Sequence, residues 1–328
     1  MSGILGLGPK ALTLLAGADK TFWMPAQRST YAGAVDALFY TIFWICVLFF
    51  FLILAMAAFF LVKYRKRGDS VVTEKSAHHS TPLELIWSGI PLLIVLAIFV
   101  MGFRSYMDLV TPPENSYQIQ VTGQKWNWEF AYPNGFVDSD LHVPVGRPVT
   151  LLMSSEDVIH SFFVPELRAK QDVVPGRYTK VWFEVDQPFE GTVFCAEYCG
   201  TNHSQMQSKF IAHEESEFDK WLQEAEGAIF QLPPHEAGAI LYEKRGCKQC
   251  HSIDGVGGIG PTFLSAFGNR RQFADGSTGT LDENYIRESI LEPRAKVVSG
   301  FDPVMPTFQG RIKDKELDAL IAYIMSLK

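Results

Sequence analysis

From Ala37 to Val62 the chain runs for 26 residues without a charge, and from Leu85 to Phe103 for 19 more. A helix needs roughly 20 predominantly apolar residues to cross the hydrocarbon core of a bilayer, and uncharged runs of this length are rare in water-soluble domains. The second run is broken only by Ser88, Gly89, Pro91 and Gly102, which membrane helices tolerate. The two runs therefore predict a transmembrane helical hairpin over residues 34–104. Between them, Lys63 to Pro82 carries five Lys and Arg against two acids, so the positive-inside rule puts this loop on the cytoplasmic side. Both termini, and everything after about Arg104, then face outward. Residues 1–33 are expected to form an exported N-terminal segment, in which Lys10 interrupts a mildly apolar run and no clean cleavage site follows, with a short signal peptide as the alternative.

Charge is unevenly placed. The net −7 divides into +3 for residues 1–103, −10 for 104–232 and 0 for 233–328. An acidic middle region disfavours nucleic acid and suits basic protein partners. Glu214 to Gln231 reads as an amphipathic linker helix, and Pro233-Pro234 marks the boundary after it. The domains expected on this basis are 105–213, a linker over 214–232, and 233–328. Of the five cysteines, Cys46 lies inside the first span, where a lone thiol is a small packing residue. The other four fall into two motif pairs and leave none for a structural disulfide.

In the middle region, apolar or alternating stretches recur at Gln118–Thr122, Pro148–Met153, Lys180–Val185 and Gly191–Cys195. Turn signals separate them at Pro133-Asn134-Gly135, Pro144-Val145-Gly146, Pro175-Gly176 and Gln187-Pro188. Short strands at this spacing predict an antiparallel β-sandwich or barrel. Gln124 to Tyr132 is dense in aromatics and fits a strand packed with rings.

Cys195 to Met206 reads Cys-Ala-Glu-Tyr-Cys-Gly-Thr-Asn-His-Ser-Gln-Met. Cysteine pairs in exported regions are ordinarily disulfides, but here His203 and Met206 stand at fixed offsets, and His160 offers a second imidazole upstream. Two thiolates, two imidazoles and a weak thioether exceed what zinc needs and point to copper. Paired thiolates could bridge two ions, leaving Met206 and a backbone carbonyl as weak outer ligands. A distant His followed by Cys-x-Glu-x-Cys-x-x-x-His-x-x-Met resembles the binuclear CuA centre of cytochrome oxidase subunit II. The resemblance implies a cupredoxin-like Greek-key barrel, with the Glu197 carbonyl on one copper and its side chain facing a magnesium or manganese ion shared with the catalytic subunit. It also implies that Trp126 takes electrons toward CuA, while Trp128 packs in the core. Lys170 to Arg177 and Thr81 to Trp87 match the same family, which suggests Glu84 as a site of proton uptake; an ordinary interfacial carboxylate is the alternative for that residue.

The last region carries Gly246-Cys247-Lys248-Gln249-Cys250-His251, the Cys-x-x-Cys-His pattern of covalent c-type haem attachment. Cys247 and Cys250 would bind the two vinyl groups and His251 the iron. A thioredoxin-like motif would need a βαβ context and no adjacent His. Gly238 to Tyr242 leads in as a short helix, and Gly260-Pro261 follows, where related domains use the Pro carbonyl to orient the histidine. Leu317, Leu320, Ile321 and Ile324 share one helical face that should cover the pocket. Met305, in a loop, is the expected sixth ligand, as in class I cytochromes c; Met325 follows the apolar stripe and reads as core. His213 and His235 compete only weakly.

The resemblance covers nearly the whole chain. It implies a multidomain membrane protein: a two-helix transmembrane hairpin, an all-β cupredoxin-like domain and an all-α class I cytochrome c domain. The implied function is the electron-input subunit of a terminal cytochrome c oxidase. Electrons would pass from an external donor to haem c, to CuA, and on to an oxygen-reducing, proton-translocating subunit I, with subunit III and membrane lipid as further partners. The redox domains would lie on the periplasmic face of a bacterial cell membrane. The same layout could serve a CuA-containing nitric oxide reductase or a free-standing membrane-tethered carrier. Quinol-oxidase relatives lack the copper ligands.

Overall fold

The computed structural model describes residues 20–66 and 79–328. Residues 1–19 of the exported segment and 67–78 of the basic loop lie outside the described residues. The chain forms two compact units: one runs to Pro113 and takes in Glu166–Arg168, and the other comprises 114–165 and 169–328.

In the first unit, both uncharged runs are helical: α1 (Ala32–Lys63) and α2 (Thr81–Val110). At ~1.5 Å per residue each is long enough to cross a hydrocarbon core of about 30 Å. Their flanks expose apolar side chains, Leu61 at 74% and Leu85 at 69%, which only a lipid-like surrounding makes favourable. Pro82 sits in the first turn of α2, where its missing N–H costs nothing. The buried Asp36 of α1 receives Arg168 as a fork, Nε at 2.8 Å and Nη2 at 2.7 Å.

The second unit begins with ten strands among the described residues: β1 (Tyr117–Gln124), β2 (Asn127–Ala131), β3 (Val137–Asp138), β4 (Leu141–Pro144), β5 (Val149–Ser155), β6 (His160–Val164), β7 (Ala169–Val173), β8 (Thr179–Phe183), β9 (Phe189–Cys195) and β10 (Gln207–His213). They form two five-stranded sheets, β3-β2-β1-β5-β8 and β4-β10-β9-β6-β7. Alternation buries Ile119 and Val121 of β1, and Trp128, Phe162, Phe183 and Phe210 lie fully inside. The expectation of an antiparallel sandwich needs correction at two pairings, since β1 with β5 and β4 with β10 run parallel. The reason is the crossovers: chain leaves one sheet for the other between these partners, and a long connection allows parallel neighbours.

Next comes α3 (Glu215–Ala228), whose Phe218 is fully buried and whose Trp221 packs edge-on against Tyr132 and Phe136. The helical region holds α4 (Pro234–Lys244), α5 (Glu283–Leu291) and α6 (Asp314–Ser326). Leu317, Leu320, Ile321 and Ile324 of α6 are all buried. Asp282 caps α5 by accepting Tyr285 N–H at 2.8 Å. Ahead of α5 the sequence reading missed a small hairpin, β11 (Arg270–Gln272) with β12 (Thr278–Thr280); the Asp275-Gly276 turn was its signal.

Candidate functional site

β6 and β9 pair with Phe162 opposite Cys195, so the first residue of β6 and the last of β9 come to one end of their sheet. Those residues are His160 and Cys195. The loop after β9 is tied to β6 through Ala196 N–H to Ser161 O at 2.8 Å, and its far end returns to β9 through Cys195 N–H to Met206 O at 3.2 Å. A single 3-10 turn, His203–Gln205, returns the chain into β10. This folding brings together every residue expected in the metal loop. Cys195 Sγ lies 3.8 Å from Cys199 Sγ, 3.9 Å from His160 Nδ1 and 3.2 Å from the Glu197 carbonyl oxygen. Cys199 Sγ lies 3.5 Å from His203 Nδ1 and 3.8 Å from Met206 Sδ. The ligand atoms of His160, Cys195 and Cys199 all fall within 4.8 Å of one another, and all three residues are buried.

The electrostatics suit a cation. The Cys195 thiol is pushed down to about 3, first by its hydrogen bond with Cys199; Cys199 is pushed up, first by that same bond. The pair thus parts with one proton readily and holds the second until a positive charge replaces it. For His160, burial favours the neutral ring, but hydrogen bonds to Asp157 and Cys195 outweigh it and raise its pKa. His160 Nε2 stands 2.9 Å from Asp157 Oδ1, which leaves Nδ1 turned toward the sulfurs. The sequence reading missed Asp157, although a carboxylate three residues before a ligand histidine is a recognisable orienting partner. A soft, mostly buried set of two thiols, two imidazoles and a thioether fits copper.

Trp126, in the turn between β1 and β2, is buried and donates its Nε1 proton to the Cys199 carbonyl at 3.2 Å. Trp128 is fully buried against His160 and Phe162. The Glu197 side chain is exposed beside the loop.

The second site lies in the helical region. Two adjoining cavities share Cys250, His251, Phe263 and Met305 as walls, and Cys247 lines the second. Met325 lines neither, and packs in the cluster around Leu317. His251 Nδ1 is 2.8 Å from the Pro261 carbonyl oxygen. A carbonyl can only accept, so Nδ1 carries the proton and Nε2 is left with a free lone pair. Burial lowers the pKa of His251, with the Pro261 bond opposing, so the ring is neutral. Phe263 stacks on it at 4.5 Å. A Cβ on Gly260 would come 2.6 Å from His251 Cε1, so the approach of this loop to the imidazole requires glycine. Burial pushes the Cys247 thiol up to about 12 and Cys250 up to about 11, so both are protonated thiols. An apolar cavity with a neutral imidazole, a thioether and two thiols fits a covalently held haem.

Of the remaining candidates, His235 is exposed and His213 bonds His142, so neither joins the haem cavity. Glu84 lies in the first turn of α2, where it accepts from Ser80 N–H at 3.3 Å and pairs with His79 at 2.6 Å. That contact caps the helix.

Three family models match the chain: cytochrome c oxidase subunit II, transmembrane domain, over residues 18–105; the periplasmic domain of the same subunit over 135–212; and cytochrome c over 235–328. Among similar proteins, cytochrome c oxidase subunit 2 of Alkalihalophilus pseudofirmus is 36% identical over 84% of this chain and 82% of its own length. The corresponding protein of Synechocystis is 30% identical over 61% of this chain and 74% of its own. The crystal structure of the periplasmic domain of subunit II of cytochrome oxidase from Bradyrhizobium japonicum is 29% identical, covering 36% of this chain and 99% of that one with a TM-score of 0.34.

Proposed function

Because the chain belongs to the cytochrome c oxidase subunit II family, we propose that it is the electron-input subunit of a terminal oxidase, relaying electrons from its own haem c to CuA and on to the oxygen-reducing subunit I. The observation that carries this reading is that the soft-metal loop and the Cys-x-x-Cys-His cavity are built into one compact unit of a single chain. When bound, the paired coppers and the haem each accept and release one electron at a time.

The chain's own residues prepare both sites. Cys195 and Cys199 would supply thiolate sulfur to the coppers, and His160 and His203 one imidazole nitrogen each. Met206 and the Glu197 carbonyl would be weaker ligands. Asp157 holds the His160 ring so that Nδ1 faces the sulfurs, and Pro261 does the same for His251 by fixing its proton on Nδ1. Met305, on the wall of both cavities, would supply a thioether to the haem iron. Cys247 and Cys250 would hold the porphyrin covalently, and the apolar walls around Phe263 would keep water from the ring and favour a high potential. Trp126, hydrogen-bonded to the ligand loop, bridges the two sites.

The rest of the reading concerns the assembled enzyme. The spans 34–104 anchor the chain in lipid, with the basic loop cytoplasmic and the regions 105–213, 214–232 and 233–328 on the periplasmic face. The exposed Glu197 carboxylate would help hold a magnesium or manganese ion shared with subunit I. Glu84 takes up protons on the cytoplasmic side, in a complex that translocates them and also contains subunit III. The deciding experiment purifies the native complex, sequences its other subunits, and measures two coppers and one covalent haem per copy of this chain. Zinc in place of copper, or purification without a haem-bearing partner, would overturn the proposal.

A further inference from the structure

We propose that Glu129, Arg245 and Arg311 form a buried ionic clamp that fixes the haem-binding region on the copper-binding region in one pose, and so act as positioning residues for transfer between them. This rests on the haem-to-copper relay of the preceding section. Glu129 of β2 accepts from two arginines of the helical region at once, Arg311 Nη2 at 2.5 Å and Arg245 Nη1 at 3.5 Å. Arg245 turns its other nitrogen to Glu316 at 2.6 Å, and Arg311 turns its other to Gln124. The side chains of Arg245 and Glu129 are only 6% and 9% exposed, so the pairing is shielded from water. A second ion pair, Lys244 with Asp138 at 2.5 Å, runs parallel to it. In both ion pairs the acid belongs to the sandwich and the base to the helical region.

What makes this a positioning device is where the clamp sits in the sequence. Glu129 is three residues after Trp126 on the same hairpin, and Gln124 is two before it. Arg245 is two residues before Cys247. Between them, Gly246 comes so close to Asn127 that a Cβ would meet that side chain at 2.9 Å, in a backbone conformation of φ +72 that glycine accepts. Asn202, inside the copper loop, donates to the Gln249 carbonyl, inside the haem motif, at 2.8 Å. The electron-bearing segments are thus held by residues adjacent to them on both sides. Buried ion pairs add little net stability, because desolvation offsets attraction, but they penalise every arrangement that leaves a charge unpaired. A clamp of this kind selects one pose from those a flexible tether would allow.

The test uses the full chain loaded with copper and haem, with flash reduction of the haem and copper reduction followed in time. In the wild type, transfer should be a single phase that is indifferent to viscosity and to salt between about 0.1 and 1 M, a range over which the Debye length falls from about 10 to about 3 Å. Glu129→Gln and Arg311→Gln should slow it by at least about tenfold and make it multiphasic and viscosity-dependent, with the copper EPR spectrum and the haem absorption unchanged. Glu129→Asp should recover part of the rate. Independently of any redox chemistry, amide hydrogen exchange over residues 124–131 and 245–250 should accelerate in both Gln variants. Should Glu129→Gln fail to fold, Arg311→Gln on the less buried edge carries the test alone. Variants with wild-type rates and exchange, or a viscosity-dependent wild type, would overturn the clamp. Absence of copper reduction in the wild type would instead overturn the relay, and the exchange result would still judge the clamp.

Discussion

The indole N–H of Trp126 reaches the backbone carbonyl of Cys199 across 3.2 Å. One hydrogen bond therefore joins an aromatic ring on the β1–β2 turn to the backbone of a cysteine in the candidate metal site. On its other side, Trp126 shares a groove with Cys250 of the haem motif. Trp126→Phe keeps a ring but removes the donor, and it should slow flash-induced haem-to-copper transfer while leaving the copper EPR spectrum nearly intact. An unchanged rate would remove Trp126 from the route.

Cys195 and Cys199 differ in how much of the site each can hold alone. Replacing Cys199 with Ser removes the sulfur that lies near His203, Met206 and Cys195 together. The variant should lose the mixed-valence copper EPR signal and retain covalent haem, because the haem cavity draws on none of these residues. Copper analysis and a haem-stained gel check both halves of that outcome. Retention of two coppers by the variant would refute the bridging role.

Met305 and Met325 make opposite predictions for the haem. Met305 lines both cavities beside His251, while Met325 packs with Leu317 and Ile321. Met305→Ala should abolish the sulfur-to-iron charge-transfer absorption and lower the reduction potential. Met325→Leu, a swap of similar volume, should cost less than about 1.5 kcal/mol of stability and leave the band in place.

These sites were legible to different depths. The metal loop could be read because all its groups but His160 lie within twelve residues of chain, and the haem motif because five consecutive residues carry it. The membrane spans needed only length and absence of charge. Asp157 was within reach, three residues from His160, yet an isolated carboxylate gives no pattern of its own. The clamp was beyond reach, since Glu129, Arg245 and Arg311 are separated by more than a hundred and then by tens of residues and each looks like an ordinary surface charge in sequence. The parallel pairing of β1 with β5 was hidden for a related reason: alternation reports which face of a strand is buried, but not which strand lies beside it.

His142 and His213 form a pair that neither site uses. Nδ1 of His142 is 2.8 Å from Nε2 of His213, and the His142 ring stacks on Trp221 of α3 at 3.9 Å. Burial, then the proximity of His213 and of Lys244, pushes the pKa of His142 down to about 3, with Asp140 opposing; burial also lowers that of His213, with Glu217 and Glu190 opposing. In the unfolded chain both histidines titrate near 6.5. Between about 6.5 and about 3 the unfolded chain takes up a proton that folded His142 refuses. The stability contributed by the neutral ring is therefore complete above about 6.5 and is lost progressively as pH falls, by at most about 1.4 kcal/mol per pH unit. Since α3 docks through this stack, the first loss should be its contact with β4 and β10. His142→Phe keeps an aromatic surface against Trp221 and removes the titrating group. The difference in melting temperature between pH 7.5 and pH 5 should consequently be smaller in the variant than in the wild type, contributions common to both cancelling in the comparison. Equal acid sensitivity of the two proteins would show that the linker helix is not held by a neutral histidine.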